Sequence, residues 1–361
     1  LLDLYTDYLL VSTSQASATG LSRMLDGELS HDKITRFLSN EEFTSKTLWK
    51  LVKPTVRQAE QLGQQSFLVL DDTVETKPYT QENALICWHY DHTVNKSVKG
   101  VNQISSLFYS AGISVPVGVE FVEKDVWQIN VKGKLVRKAS IGKQELFRRL
   151  VKQASINLSH VDYILADSWF SSAENMRFIK QDCGYNFIMP LKKNRKVALS
   201  SCAKQAGEYK RLDSLDLQEG EHVRIYLEQA AAAAVDFAIW LTKAVYHNKD
   251  GSVGELYLVT SDSALCAEEI KAFYAYRWNV EIMYKSVKSN ASYAKSPTGT
   301  VRTQKNHFFC SMVAFCKLEQ IKLKTKNNHF ALKAKLYLPA IKTAFAYLND
   351  IKQGLGISLV A

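Results

Sequence analysis

The sequence predicts an α/β protein: a mixed sheet flanked by helices, with a β-rich insertion and an N-terminal helical region. Three observations carry this expectation. Apolar runs at residues 66–70, 161–166 and 185–189 have the length of buried strands and end at acidic or turn residues. Residues 103–109 and 115–121 flank Ser110-Ala-Gly-Ile-Ser114 and read as an antiparallel hairpin. Helix-forming stretches at 142–154 and 172–181 separate the later runs. The core order is then β, β, β, α, β, α, β, with the first strands antiparallel and the later ones alternating with helices.

Composition narrows the function classes. The 361 residues suffice for two or three domains, or for one domain with a large insertion. Apolar residues at 46% and charged residues at 23% describe a globular chain. No apolar run approaches the roughly 18–20 residues that span a bilayer, and no signal peptide is visible. The sequence begins at Leu1, so a preceding segment is expected. Cys87, Cys183, Cys202, Cys266, Cys310 and Cys316 form no Cys-x-x-Cys pair, which argues against zinc and for free thiols in a cytoplasmic setting. A net charge of +10 favours a polyanionic partner, nucleic acid first and an acidic membrane second.

In order along the chain, residues 1 to about 57 read as helical. Ser30 suits an N-cap, with Asp32 in the first turn. Short helices on either side of Asp26-Gly27 resemble a helix-turn-helix, which would turn His31, Lys33, Thr35 and Arg36 toward a DNA groove. A small helical bundle packed on the main domain is the other reading of the same stretch. Residues 66–70 lead straight into Asp71-Asp-Thr73, and residues 161–166 into Asp167-Ser-Trp-Phe170. Both look like buried strands that end in carboxylates. Residues 84–92 read as a strand, followed by a basic loop at Lys96-Ser-Val-Lys-Gly100. His89, Asp91 and His92 could suggest a metal, but strand alternation divides them between two faces. A structural or substrate-positioning role is preferred.

Residues 191–264 read as a β-rich insertion. It opens on basic Lys192-Lys-Asn-Arg-Lys196 and continues in strand-like segments at 222–227, 237–245 and 255–260, with a turn signal at Asn248-Lys-Asp-Gly251. Trp240 within it could stack an extruded base, although a strand tryptophan also suits a core. Five alanines at 230–234 carry no weight. Helices at about 267–289, 303–324 and 328–352 complete the chain, the last two rich in lysine.

The stretch Phe273 to Lys288 contains no Pro or Gly and reads as one helix. On a 3.6-residue helix Tyr274, Arg277, Glu281 and Lys288 fall within a stripe roughly 60° wide. A solvated face with an Arg277–Glu281 pair is the plain reading of such a stripe. Asp71, Asp167 and Glu281, far apart in sequence, could instead gather at one sheet edge. There they would hold two Mg²⁺ ions, which prefer hard oxygen ligands and support in-line phosphoryl displacement.

The spacing Tyr274-(2)-Arg277-(3)-Glu281-(6)-Lys288 resembles the Y-R-E-K signature of bacterial insertion-sequence DDE transposases, the IS-four group and its close relatives. Asp71-Asp-Thr73 is similar to the first catalytic segment, D-x-[ST], and Ala166-Asp-Ser-Trp-Phe170 to the second. The resemblance spans about residues 66–320. It implies an RNase H-like core at 61–190, interrupted by the insertion at 191–264 and resumed by a helix at 265–300 that carries Glu281. It implies an N-terminal DNA-end-binding region at 1–60 and basic helices at 301–361. Asp71, Asp167 and Glu281 would be the metal ligands and catalytic residues, with two Mg²⁺ ions for which Mn²⁺ can substitute. Asp71 is chosen over Asp72 because one residue separates it from Thr73. Tyr274, Arg277, Lys285 and Lys288 would contact the DNA strand, and Lys33 and Arg36 the recognition site. The implied partners are double-stranded DNA (terminal inverted repeats and target) and a second copy of the chain on paired ends. The implied activity is cut-and-paste transposition in the cytoplasm. A non-catalytic DNA-binding protein derived from a transposase, and an RNase H-like nuclease without strand transfer, are the alternatives.

Overall fold

A computed structural model describes residues 1–228, 235, 237–247 and 250–355. They divide into two compact units. One is Phe43–Met283; the other combines residues 1–42 with residues 284–355. The alanine run at 230–234, together with Asn248 and Lys249 of the expected turn, lies outside the described residues.

Four helices open the chain: α1 (Leu2–Val11), α2 (Ala18–Met24), α3 (His31–Asn40) and α4 (Ser45–Gln61). Their starts follow from local chemistry. The side chains of Ser17, Ser30 and Thr44 accept hydrogen bonds from Gly20 N, Lys33 N and Thr47 N, and so satisfy donors that a helix start leaves unpaired. Asp26 (φ 49°) and Gly27 (φ 82°) turn the chain between α2 and α3 in the left-handed region. Ile34 and Leu38 of α3 are buried, while His31, Lys33, Thr35 and Arg36 are exposed.

The unit of residues 43–283 is built on β1 (Ser66–Thr76), β2 (Cys87–Asp91), β3 (Lys96–Ser110), β4 (Ile113–Phe121), β7 (Tyr163–Ala166) and β8 (Asn186–Leu191). Between β4 and β7 lie the hairpin β5 (Val126–Ile129) and β6 (Leu135–Lys138) and helix α5 (Lys143–Asn157). Helix α6 (Ala173–Arg177), which runs on as a π-helical turn over Phe178–Asp182, connects β7 to β8. β3 pairs antiparallel with β1, β2 and β4, whereas β1, β7 and β8 run parallel. The sheet is mixed, as expected. Ala111 (φ 52°) and Gly112 (φ 76°) make the β3–β4 turn.

The following segment adds β9 (Lys196–Ala198), α7 (Ser201–Ala206), β10 (Lys210–Arg211), β11 (His222–Leu227), β12 (Ile239–His247) and β13 (Val253–Thr260). β13 pairs antiparallel with β8, so these strands extend the same sheet to eleven among the described residues. Phe67, Leu68, Val69, Leu70, Ile164 and Phe187 are at most 1% exposed. Side chains buried to this degree contribute about 1.5–3 kcal/mol each.

Two expectations give way to longer-range pairing. Lys96–Gly100 is not a loop but the start of β3, because Cys87–Asp91 pairs along it. The stretch 267–289 is not one helix but two, α8 (Ala267–Ala275) and α9 (Trp278–Asn290). At the break, Tyr276 N, Arg277 N, Asn279 N and Val280 N bond three residues back rather than four. The Tyr276 ring stacks on Phe67 (4.7 Å) and lies 5.0 Å from Tyr109. Aromatic partners on distant strands thus interrupt a sequence that is locally helix-forming.

The second unit closes with α10 (Val301–Thr325) and α11 (His329–Gly354), close to the expected limits. α1 and α3 pack on α10: Tyr5 Oη lies 3.0 Å from His307 Nδ1, and Asn306 Nδ2 donates to Leu38 O at 2.8 Å. No helix among the described residues is long and apolar enough to cross a membrane.

Candidate active site

The parallel register sets the site. Leu70 pairs with Ala166, the last residue of β7, so Asp167 follows at the carboxyl end of β7 beside Asp71, which lies within β1 and not, as expected, at its end. Ligands of open α/β sheets bind at such ends. β7 stops there while β1 continues to Thr76 along β3 alone, which opens the edge next to Asp71.

Alternation along β1 gives its two aspartates different company. Asp72 Oδ2 accepts from Asn102 Nδ2 at 2.8 Å and from Lys143 Nζ at 2.6 Å. Asp71 Oδ2 meets Arg277 Nη1 at 3.3 Å, and Arg277 Nη2 reaches Glu281 Oε1 at 2.5 Å. One guanidinium therefore joins Asp71 to Glu281 across 210 positions of sequence, while Asp72 has a separate cation. The Arg277 Cζ also lies 5.7 Å from the ring centre of buried Tyr274. Asp167 is held by its own turn: Oδ1 accepts from Trp169 N at 2.9 Å, and its carbonyl accepts from Phe170 N at 3.2 Å. Phe170 is buried and stacks on Phe147.

The electrostatics follow from this crowding. Burial, and then the nearby Asp167 charge, push Asp71 up to about 7 against the pull of Arg277. Burial also raises Asp167, with Asp72 adding repulsion. Burial works against the charge on Arg277, but Tyr274, Glu281 and Asp71 outweigh it and hold its pKa above the ordinary value. Burial raises Tyr274 as well. Among the described residues no group of three or more His, Cys, Asp or Glu is placed to hold a metal ion. Arg277 rather than a third carboxylate neighbours Asp71. Asp71, Asp167 and Glu281 are carboxylates, and hard oxygens of this kind suit Mg²⁺.

Tyr274, Arg277, Glu281, Asp71 and Asp167 thus belong to one neighbourhood of the residue 43–283 unit. Lys285 and Lys288 lie on the later half of α9, in the other unit, where Lys285 Nζ stands 5.6 Å from the Phe330 ring. Lys33 and Arg36 are exposed on α3. His89, Asp91 and His92 do not gather. His89 is buried against Cys87 Sγ (3.3 Å), and burial with Lys124 and Lys143 lowers it to about 4. Asp91 Oδ1 accepts from Thr93 N, and His92 leans on Tyr90 and Trp169. Trp240 stacks on His222 at 4.9 Å.

Residues 1–211 match the family described as DDE superfamily endonuclease. The chain belongs to the DDE superfamily. Residues 130–316 match the transposase DDE domain, so this DDE protein is a nuclease and transposase enzyme. The first span holds Asp71 and Asp167, the second Asp167 and Glu281. No curated protein matches the chain.

Sequence reasoning missed two features of this neighbourhood. Lys143, on α5, neutralises Asp72; it stood in the sequence only as one of several basic residues on a helix. Trp169 is exposed beside Asp167, with Lys143 Nζ at 5.8 Å and Lys192 Nζ at 5.6 Å from its ring centre. The signal for it was its place in the second acidic segment.

Proposed function

We propose that the chain is an insertion-sequence transposase with an RNase H-like core that cuts DNA at the transposon ends and joins them to target DNA. The carrying observation is the Leu70–Ala166 register, which sets Asp71 beside Asp167, with Glu281 tied to Asp71 through Arg277. Asp71, Asp167 and Glu281 would hold Mg²⁺, which supplies charge for the attacking and leaving oxygens of an in-line displacement. The protein's own part is positioning. Asp167 is fixed by Trp169 N and Asp71 by Asp72 N. Asp72 is occupied by Lys143 and Asn102, which favours Asp71 as the ligand. Arg277 and Lys288 offer charge to phosphates of the bound end, Arg as a fork and Lys as a point charge. Tyr274 of the Y-R-E-K spacing, and Lys285 outside it, would contact the DNA strand. Exposed Lys33 and Arg36 on α3 suit recognition of the terminal repeats. A homodimer on paired ends, acting in the cytoplasm, completes the reading.

Full-length protein with a duplex carrying the flanking terminal repeats, Mg²⁺ and a target plasmid tests it. Cleaved ends and joined products are expected from the wild type, and neither from Glu281→Ala, which should still bind the duplex. Persistent cleavage by Glu281→Ala sinks the carboxylate assignment. Cleavage without joining selects a nuclease that lacks the transfer step.

A further inference from the structure

The β5–β6 hairpin is a sheet of its own, paired with no other strand among the described residues. It breaks the usual pattern of one buried face. Val126, Trp127, Ile129 and Leu135 are 46–67% exposed, and Val131 at the tip is fully exposed. A lone two-stranded ribbon is marginal in water, yet this one is well braced. Asn130 Oδ1 accepts from Lys132 N (2.9 Å) and Lys134 N (3.0 Å), while Gly133 (φ 70°) makes the left-handed step. At the base, Asp125 binds Ser140 through N (2.9 Å) and Oγ (2.7 Å). Arg137 lies 4.2 Å from the Trp127 ring centre and 3.5 Å from Glu82. The tip is thus held in one shape with its apolar residues in water.

Charge identifies what would cover it. From Val126 to Lys138 the ribbon carries Lys132, Lys134, Arg137 and Lys138, and no acid. Two copies of such a ribbon would repel each other, whereas a polyanion would not. A two-stranded ribbon fits the major groove of B-DNA, where an apolar side chain can meet a thymine methyl group.

We infer that the β5–β6 ribbon is a second DNA contact, distinct from the carboxylate site, that seats in a duplex groove with Lys132 and Lys134 on phosphates and Val131 against the bases. The inference rests on the transposase reading above. Sequence-independent phosphate contacts of this kind would help grip duplex DNA whether it carries a terminal repeat or not.

The test uses the full chain, a terminal-repeat duplex and a random duplex of equal length, with binding followed by anisotropy across a salt series. The Lys132→Ala/Lys134→Ala double variant is expected to bind both duplexes more weakly. Its salt slope should flatten by about 1.8, or about 0.9 for each lost phosphate contact. Val131→Asp should weaken both duplexes as well, and its far-ultraviolet spectrum and melting temperature report whether it folds. If the wild type binds and cuts while both variants keep its affinity and slope, the ribbon inference fails alone. If the double variant changes only the oligomeric state, the ribbon is a surface for a second copy and the inference fails. A wild type that binds no duplex overturns this inference together with the transposase reading.

Discussion

Arg277 answers two carboxylates at once, and its removal should be felt before any DNA is bound. Arg277→Ala leaves Asp71 and Glu281 without their shared cation, and breaking a partly buried ionic cluster costs about 3–5 kcal/mol. Urea unfolding in EDTA should report a loss of that order. Added Mg²⁺ should restore part of it by mass action, since binding to the folded form alone stabilises. No recovery with Mg²⁺ would mean that the carboxylates do not take up the ion in Arg277's absence. Lys288→Ala should lower the salt slope of end binding by about 0.9, one phosphate contact, and an unchanged slope would reject that contact. At this scale the acids were legible and the arginine's direction was not. Asp71 and Asp167 stand out because each ends an apolar run of strand length. Arg277 meets Asp71 at a helix break where Tyr276 lies against Phe67 and Tyr109, partners about 210 and 170 residues earlier.

At the scale of elements, periodicity revealed most strands and the two closing helices, whose limits α10 and α11 nearly match. It failed where partners lie far away in sequence. The first residues of β3 read as a basic loop until β2 is laid beside them. The β5–β6 ribbon escaped notice because neither of its faces is buried, so no alternation marks it. A polar cluster ties α9, α10 and α11 together and offers an element-scale prediction. Glu319 Oε1 lies 3.1 Å from His329 Nε2, Lys322 Nζ lies 2.6 Å from Glu319 Oε2, and Ser286 Oγ lies 2.8 Å from His329 Nδ1. Burial alone would raise Glu319, but His329 and Lys322 outweigh it and hold it below its ordinary value. A depressed carboxylate stabilises fully above its unfolded pKa and loses that contribution as pH falls through the folded one. Glu319→Gln should therefore melt well below the wild type at neutral pH, and the two curves should converge in acid. A gap that stays constant down to about pH 3 would remove Glu319 as the source.

At the scale of the molecule, the unit of residues 1–42 and 284–355 is assembled from both ends of the described chain. Deleting residues 1–42 takes away Tyr5 and the Leu38 carbonyl, partners of His307 and Asn306 on α10. It also uncovers the apolar side of α10. Amide exchange in residues 301–325 should then speed up strongly, while β1, β7 and β8 keep their protection. Equal loss in both places would show that the two units unfold together. The net charge of +10 bears on partners at this same scale, through long-range attraction to a polyanion, and not on which unit forms.

The split origin of that unit also has a consequence in time. During synthesis α1, α2 and α3 emerge early, but the helix on which α1 and α3 pack begins only at Val301. The intervening stretch of about 260 residues takes roughly 13–50 s to make at 5–20 residues per second. Over that interval α1 and α3, with Tyr5, Leu9 and Ile34 buried on them, have no α10 to pack against, whereas Phe43–Met283 can fold as soon as it has left the ribosome. A nascent chain would therefore acquire its nuclease sheet first and its α3 helix mount last. Any regulation that shortens or stalls translation past Met283 would leave paired aspartates on a sheet without a completed helical unit.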